Sequence, residues 1–107
     1  MVAVNVVVLA GTVAADPQEK QLPSGDKVTE IKLSVPEAGR RTLPLPVAAW
    51  HNNRAIPKKD LGAIGKGDLV LVHGQLLRRF YRNGAGARTV MEVVATGIKK
   101  LERPEDE

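Results

Sequence analysis

A chain of 107 residues holds one small domain with one core, and the absence of cysteine excludes disulfides and thiolate metal sites. Aromatic residues make up 3% and hydrophobic residues 43%, so the core must be built from Val, Leu, Ile and Ala. The net charge of +4 is unevenly spread: residues 1–101 carry 15 basic and 8 acidic side chains, whereas residues 102–107 carry one basic and four acidic, and a basic body suits a polyanionic partner.

Residues 1–15 carry no charge. No Lys or Arg precedes this apolar run, and Asn5, Gly11 and Thr12 interrupt it. It also falls short of the ~20 apolar residues of a membrane span. It reads as a buried first strand, Val4 to Val13, with no membrane segment. Asp16-Pro17 closes the strand, and Leu22-Pro23-Ser24-Gly25-Asp26 is a turn. Lys27 to Val35 alternates as a second strand. Ile31, Leu33 and Val35 face inward, and Val28, Glu30, Lys32 and Ser34 share the other side. Thr42 to Trp50 is the third strand. Leu43, Leu45, Val47 and Ala49 form its core face, which leaves Trp50 on the opposite, partly exposed face. Pro44 and Pro46 remove ladder donors and place this end of the strand at an edge.

Residues 51–66 are the one region suited to a helix, with Pro57 in the first turn and Gly65 as the stop. Residues 68–81 and 88–101 are long strands joined by a hairpin at Asn83-Gly84-Ala85-Gly86. The pattern is all-β. It predicts a five-stranded Greek-key barrel with one short helix between the third and fourth strands.

The chemistry concentrates on the fourth strand and its hairpin. Arg78, Arg79, Arg82 and Arg88 surround Phe80 and Tyr81, with no acidic residue between Arg78 and Arg88. Arginines neutralise phosphates and aromatic rings stack on bases, so this arm suits a nucleic acid. On a strand, Phe80 and Tyr81 point to opposite faces. No catalytic constellation is present. Ser24 and Ser34 have no His close in sequence. Gly62-Ala63-Ile64-Gly65-Lys66-Gly67 lacks the first Gly and the Ser/Thr of a phosphate loop and precedes a strand. His51 and His73 are read as structural. The expectation is a protein without enzymatic activity, cofactor or metal.

Six segments in order carry a specific resemblance. They are Asn5 to Val13 with Asp16-Pro17, Pro23-Ser24-Gly25, Val47-Ala48-Ala49-Trp50, Lys66-Gly67-Asp68-Leu69-Val70, Gly74-Gln75-Leu76 and Glu92-Val93-Val94-Ala95. Over residues 4–101 the chain resembles the bacterial single-stranded DNA-binding protein family, whose fold is the oligonucleotide-binding (OB) barrel. The resemblance implies sequence-independent binding of single-stranded DNA in replication, recombination or repair. It also implies a homo-oligomer, most often a tetramer, paired through residues 2–9, and a cytoplasmic, nucleoid-associated protein. Trp50 matches one base-stacking aromatic of the family and Tyr81 another; Phe80 adjoins Tyr81 without an equivalent. Arg78, Arg79, Arg82, Arg88, Lys32, Arg40 and Arg41 are the candidate phosphate contacts.

The chain departs from the family pattern in several places. Positions commonly Trp in the family fall near Gly39 and Pro44, so part of the stacking surface is lost. The loop at residues 36–43 is shorter than the family's hairpin, and the segment from Trp50 to Gly67 is longer. The division expected is a barrel over residues 1–101 and a short acidic tail over 102–107. That tail has no glycine-rich stretch and no aromatic anchor, which speaks against recruitment of partner proteins through it and leaves two readings, a trimmed chain or a short, tail-less member. The alternative is a barrel of this family that serves protein interaction with weak or lost DNA binding. An RNA-binding role is a third.

Overall fold

The alternation of apolar and polar residues becomes seven elements in the computed structural model, which describes residues 2–36, 43–51, 56 and 58–102, without the side chains of Lys58, Tyr81, Arg82 and Asn83. They are β1 (Val7–Val13), β2 (Gln18–Gln21), β3 (Lys27–Ser34), β4 (Leu45–Trp50), α1 (Lys58–Gly62), β5 (Leu69–Asn83) and β6 (Gly86–Leu101). The strands form one sheet in the order β1-β5-β6-β4-β3-β2. β1 also pairs with β3 at Thr12↔Ser34 and Val13↔Leu33, which closes the sheet into a barrel. Every pairing is antiparallel except β4 with β6, where Val47 meets Val93 and Ala48 meets Val94. This is the expected OB barrel, but among the described residues its short helix lies between the fourth and fifth strands rather than the third and fourth, because β2 adds a strand before it.

The core is aliphatic throughout. Val13, Ile31, Leu33, Val47, Ala49, Val70, Val72 and Ala95 are buried within the barrel, joined by Ile56, Leu61 and Ile64 from the segment around α1. The turn that launches β5 is tied to the end of β1. Gly67 donates to the Val13 carbonyl at 2.8 Å, Val13 donates to the Asp68 carbonyl at 2.9 Å, and the Asp16 carboxylate accepts from the Lys66 amide at 2.9 Å.

Gly74 and Gly86 are each required where the arm is built. A Cβ on Gly74 would collide with the Val94 backbone carbonyl across the ladder. This close approach sits where the β5–β6 register shifts between His73 and Gly74. Gly86 ends the hairpin at φ 118°, a conformation that L side chains rarely adopt.

Four details differ from the sequence expectation. The sheet has six strands rather than five. The additional one, β2, is polar and exposed along its length and lacks a period-two apolar signal. It exists because it pairs with β3 and because Lys20–Glu30 and Lys27–Glu19 ion pairs span that ladder at 3.3 and 3.6 Å. β1 begins at Val7 rather than Val4. Before it, the Asn5 side chain stands in for main-chain pairing: its amide donates to the Leu76 carbonyl and its oxygen accepts from the Leu76 amide, both at 2.9 Å. The first residues of the uncharged run are also not buried, since Val2, Val4, Val6 and Val8 are exposed. Lastly, β4 begins at Leu45 rather than Thr42. Val47 and Ala49 are fully buried as expected, but Leu43 and Leu45 on the same face are 75% and 41% exposed, Leu43 preceding the strand and Leu45 being its first residue.

That contrast is testable by denaturation. Leu33→Ala removes a fully buried side chain and should cost about 2–5 kcal/mol. Leu43→Ala should stay within about 0.5 kcal/mol. Urea unfolding followed by circular dichroism separates the two; equal losses would contradict the placement of Leu43.

Candidate nucleic-acid interface

The outer face of the barrel is built from the residues that alternate with the core. On β3, Ile31 and Leu33 point inward, so Val28, Glu30 and Lys32 point outward. On β4, Val47 and Ala49 point inward, so Pro46, Ala48 and Trp50 point outward. The cross-strand pairs Val28↔Trp50, Glu30↔Ala48 and Lys32↔Pro46 place these side chains side by side. Val28 and Ala48 are almost wholly covered although they lie outside the core cluster. Trp50 is half-buried among them.

β5 and β6 extend past the barrel as an arm. Among the described residues, no other strand lies beside their ladder from Leu77↔Glu92 to Asn83↔Gly86. Arg79 reaches from this arm to the barrel. Its guanidinium lies over the Trp50 ring at 4.7 Å from the centroid, and its Nη1 contacts Glu92 Oε1 at 3.4 Å. A cation over an indole face is attracted by the ring quadrupole. Arg79 therefore defines which face of the arm continues the outer surface of the barrel. Arg88, Val90 and Glu92 share that face, because Val90 pairs directly with Arg79 and neighbours alternate.

Arg78 and Phe80 lie on the opposite face. Arg78 pairs with Met91 and Phe80 with Thr89. Phe80 is 63% exposed, and Leu76 and Met91 beside it are also exposed. The sequence candidates are thus divided. Trp50, Arg79, Arg88 and Lys32 come together on one face, whereas Arg78 and Phe80 occupy the other. The backbones of Tyr81 and Arg82 pair with Arg88 and Ala87, but their side chains lie outside the described residues. Arg40 and Arg41, with the loop around Gly39, also lie outside them, as do residues 103–107 of the tail.

Sequence reasoning missed several members of this surface. Lys20 on β2 faces Glu30, and Glu92 holds Arg79 across thirteen residues of hairpin. Neither pair has a local sequence signal. The covered outer positions Val28 and Ala48 did have one, being apolar on the side assigned to polar residues. The two histidines have structural partners. His51 Nε2 lies 2.7 Å from Thr29 Oγ1, and His73 Nδ1 lies 3.2 Å from Thr96 Oγ1. Among the described residues, no three His, Asp or Glu side chains gather in a way that suits a metal ion. None of the described helices is long and apolar enough to cross a membrane.

A model of the single-strand binding protein family matches residues 4–101. The chain belongs to this family. Among curated relatives, it is 31% identical to a single-stranded DNA-binding protein of Malacoplasma penetrans over 102 residues, covering 91% of this chain and 51% of that one. It is 28% identical to the protein of that name from Neisseria meningitidis serogroup B, over 92% of this chain and 60% of the other. It is 29% identical to that of Thermotoga maritima, over 92% and 74% respectively. The chain thus spans from about half to three quarters of the length of these family members. The fold matches a Plasmodium falciparum SSB in complex with ssDNA at a TM-score of 0.73. That match has 22% identity and covers 95% of this chain and 98% of the other.

Because Trp50 is the one Trp of the chain, its emission reports the Arg79 contact directly. Arg79→Ala uncovers the ring to water and should shift its emission to longer wavelength. Arg78→Ala, on the other face, should leave the spectrum unchanged. Identical spectra for both variants would contradict the division of the arm into two faces.

Proposed function

We propose that this family member binds single-stranded DNA without catalysing a reaction, on the face that carries Trp50, Arg79, Arg88 and Lys32. The observation that carries this reading is the half-buried indole under the Arg79 guanidinium, on an outer face that the arm continues with Arg88 and β3 with Lys32. A strand laid there finds an aromatic platform for a base and positive charge for its phosphates, the combination that binds single strands irrespective of sequence. The names borne by the relatives support the same reading. Tyr81, Arg82, Arg40 and Arg41 are carried as further candidate contacts. Service in replication, recombination or repair, in the cytoplasm with the nucleoid, follows as the cellular role.

Titration with oligo-dT tests the proposal. Trp50 emission should be strongly quenched at saturation, and Trp50→Ala should weaken binding by about 1–3 kcal/mol. Affinity should fall with salt, with a log–log slope of about −0.7 per neutralised phosphate. Exchanging both Arg79 and Arg88 for Glu should abolish binding, whereas Arg78→Glu should weaken it far less. Absence of binding to any oligonucleotide in dilute salt would overturn the reading. It would favour the protein-interaction alternative, for which the exposed Leu76, Phe80 and Met91 are the ready surface.

We also propose that the chain assembles as a homo-oligomer, most often a tetramer. Val2, Val4, Val6 and Val8 make an exposed, uncharged stripe along and before β1. From Val7 to Gly11, β1 pairs only with β5 among the described residues, which leaves its other edge available. Light scattering at micromolar concentration should give a multiple of the 11.5 kDa chain mass. Val6→Glu with Val8→Glu should reduce it to the monomer without unfolding. A wild-type monomer would refute the assembly.

A further inference from the structure

One row of the outer face runs across three strands. Lys20 on β2 is directly opposite Val28 on β3, and Val28 is directly opposite Trp50 on β4. Arg79 completes the row by lying over the indole. The cations at its two ends are both engaged. Lys20 Nζ donates to Glu30 Oε2 at 3.3 Å, and Arg79 Nη1 donates to Glu92 Oε1 at 3.4 Å. All four side chains line one groove of about 260 Å³. We propose that Glu30 and Glu92 are built-in competitors of the DNA backbone: each holds a cation that a phosphate must take from it, so the two carboxylates set the affinity of the site. The proposal rests on the single-stranded DNA reading above.

Geometry makes the exchange necessary. A phosphate bonded to the Lys20 ammonium or the Arg79 guanidinium would stand within a few ångströms of the carboxylate on that same group. Like charges so close repel each other, so binding trades one anion for the other. Two cations and two carboxylates also leave the groove without net charge until a polyanion arrives. Exposure makes the exchange possible. The side chains of Lys20 and Arg79 are 55% and 42% exposed, and ion pairs so placed are weak, because water solvates and salt screens both partners. No ion pair among the described residues holds Lys32 or Arg88. Those two cations meet phosphates first, and exchange at Lys20 and Arg79 follows.

The β2–β3 ladder supplies its own control. Glu19 is directly opposite Thr29, which is buried on the inward side. Glu19 and its 3.6 Å ion pair with Lys27 therefore lie on the other face of the ladder from Lys20 and Trp50. The same kind of carboxylate, on the same strand, faces away from the row.

The test measures binding of the full chain to labelled oligo-dT by anisotropy at several salt concentrations. Glu30→Gln and Glu92→Gln each keep an oxygen that accepts from the cation and remove the charge. Each should tighten binding by about two- to fivefold, and the double variant by more. The log–log salt slope should become steeper, because salt no longer loosens a competing pair in the free chain. Glu19→Gln loses the same charge away from the row and should leave affinity and slope nearly unchanged. Circular dichroism reports the fold, and the unligated Trp50 spectrum reports the stack. Glu30→Gln does not touch the Arg79–Trp50 contact, so it reads the competition even where Glu92→Gln moves the indole. Unchanged or weaker binding by Glu30→Gln and the double variant, tighter binding without a steeper slope, or an equal gain from Glu19→Gln would overturn the competition while leaving DNA binding intact. Failure of the wild-type chain to bind dT in dilute salt would instead remove the reading on which it rests.

Discussion

β5 and β6 stay paired from Leu69↔Leu101 to Asn83↔Gly86, and both the barrel and the arm depend on that ladder. Its lower half supplies Val70, Val72 and Ala95 to the core and seats β1 on one side and β4 on the other. Its upper half is the arm that carries Arg78 to Arg88. Between the two lies the register shift at His73 and Gly74. There His73 pairs with Gly97 and Gly74 with Ala95, so Thr96 is the residue without a partner position. Such a bulge bends and twists a ladder locally. The Thr96 hydroxyl donates to the His73 carbonyl at 3.2 Å, which ties the irregularity to the strand opposite. Gly74 permits the close approach to Val94 at the same point. The direction in which the arm leaves the barrel, and hence the reach of Arg79 to Trp50, is set here.

Because the arm is a two-stranded ladder, neighbours in sequence are separated by its thickness. The run Arg78-Arg79-Phe80 reads as one basic, aromatic cluster along the chain. In space it is two surfaces. One joins the barrel through the Arg79–Trp50 stack and is mixed in charge. The other is largely apolar around Leu76, Phe80 and Met91, with Arg78 among them. A single extended strand of nucleic acid cannot lie on both faces at once without crossing the edge of the ladder. The density of arginines in the sequence therefore overstates the positive charge available at any one site.

The parts of the fold that could be read from the chain are those where period and side chain agree. Ile31, Leu33, Val47 and Ala49 alternate with polar or small residues and are buried as the period requires. Gly84 and Gly86 mark the hairpin between two long apolar stretches. The parts that could not be read depend on partners distant in sequence. β2 has no apolar period and is a strand only by virtue of β3. Asn5 looks like a polar interruption, yet its amide completes the Leu76 backbone pairing 71 residues away. Leu43 and Leu45 follow the core period, yet Leu43 precedes the strand and Leu45 begins it, and both are exposed. Of the candidate site, Trp50 was legible from parity alone. Its partner was not, since four nearby arginines were equivalent in sequence and only the ladder register distinguishes Arg79.

The scarcity of aromatic residues gives that pairing its weight. Aromatic side chains usually dominate a core because each buries a large area. Here the core cluster contains none and is filled by β-branched and aliphatic residues. Trp50 and Phe80 both lie outside this cluster, the indole half-buried on the outer face and Phe80 exposed. Fixing a freely rotating indole on binding would cost side-chain entropy. The Arg79 guanidinium, itself held by Glu92, restrains the ring before any ligand arrives. With few stacking platforms available, preorganising the one Trp offsets part of the affinity that additional aromatics would supply. On the proposed binding reading, Arg79 has two duties that conflict. Bound to the indole face it covers the surface on which a base would stack, and it must slide aside or be sandwiched when a base arrives. Glu92 gives the displaced guanidinium a charged partner on the same face of the arm, so the ring can be uncovered without stranding a cation.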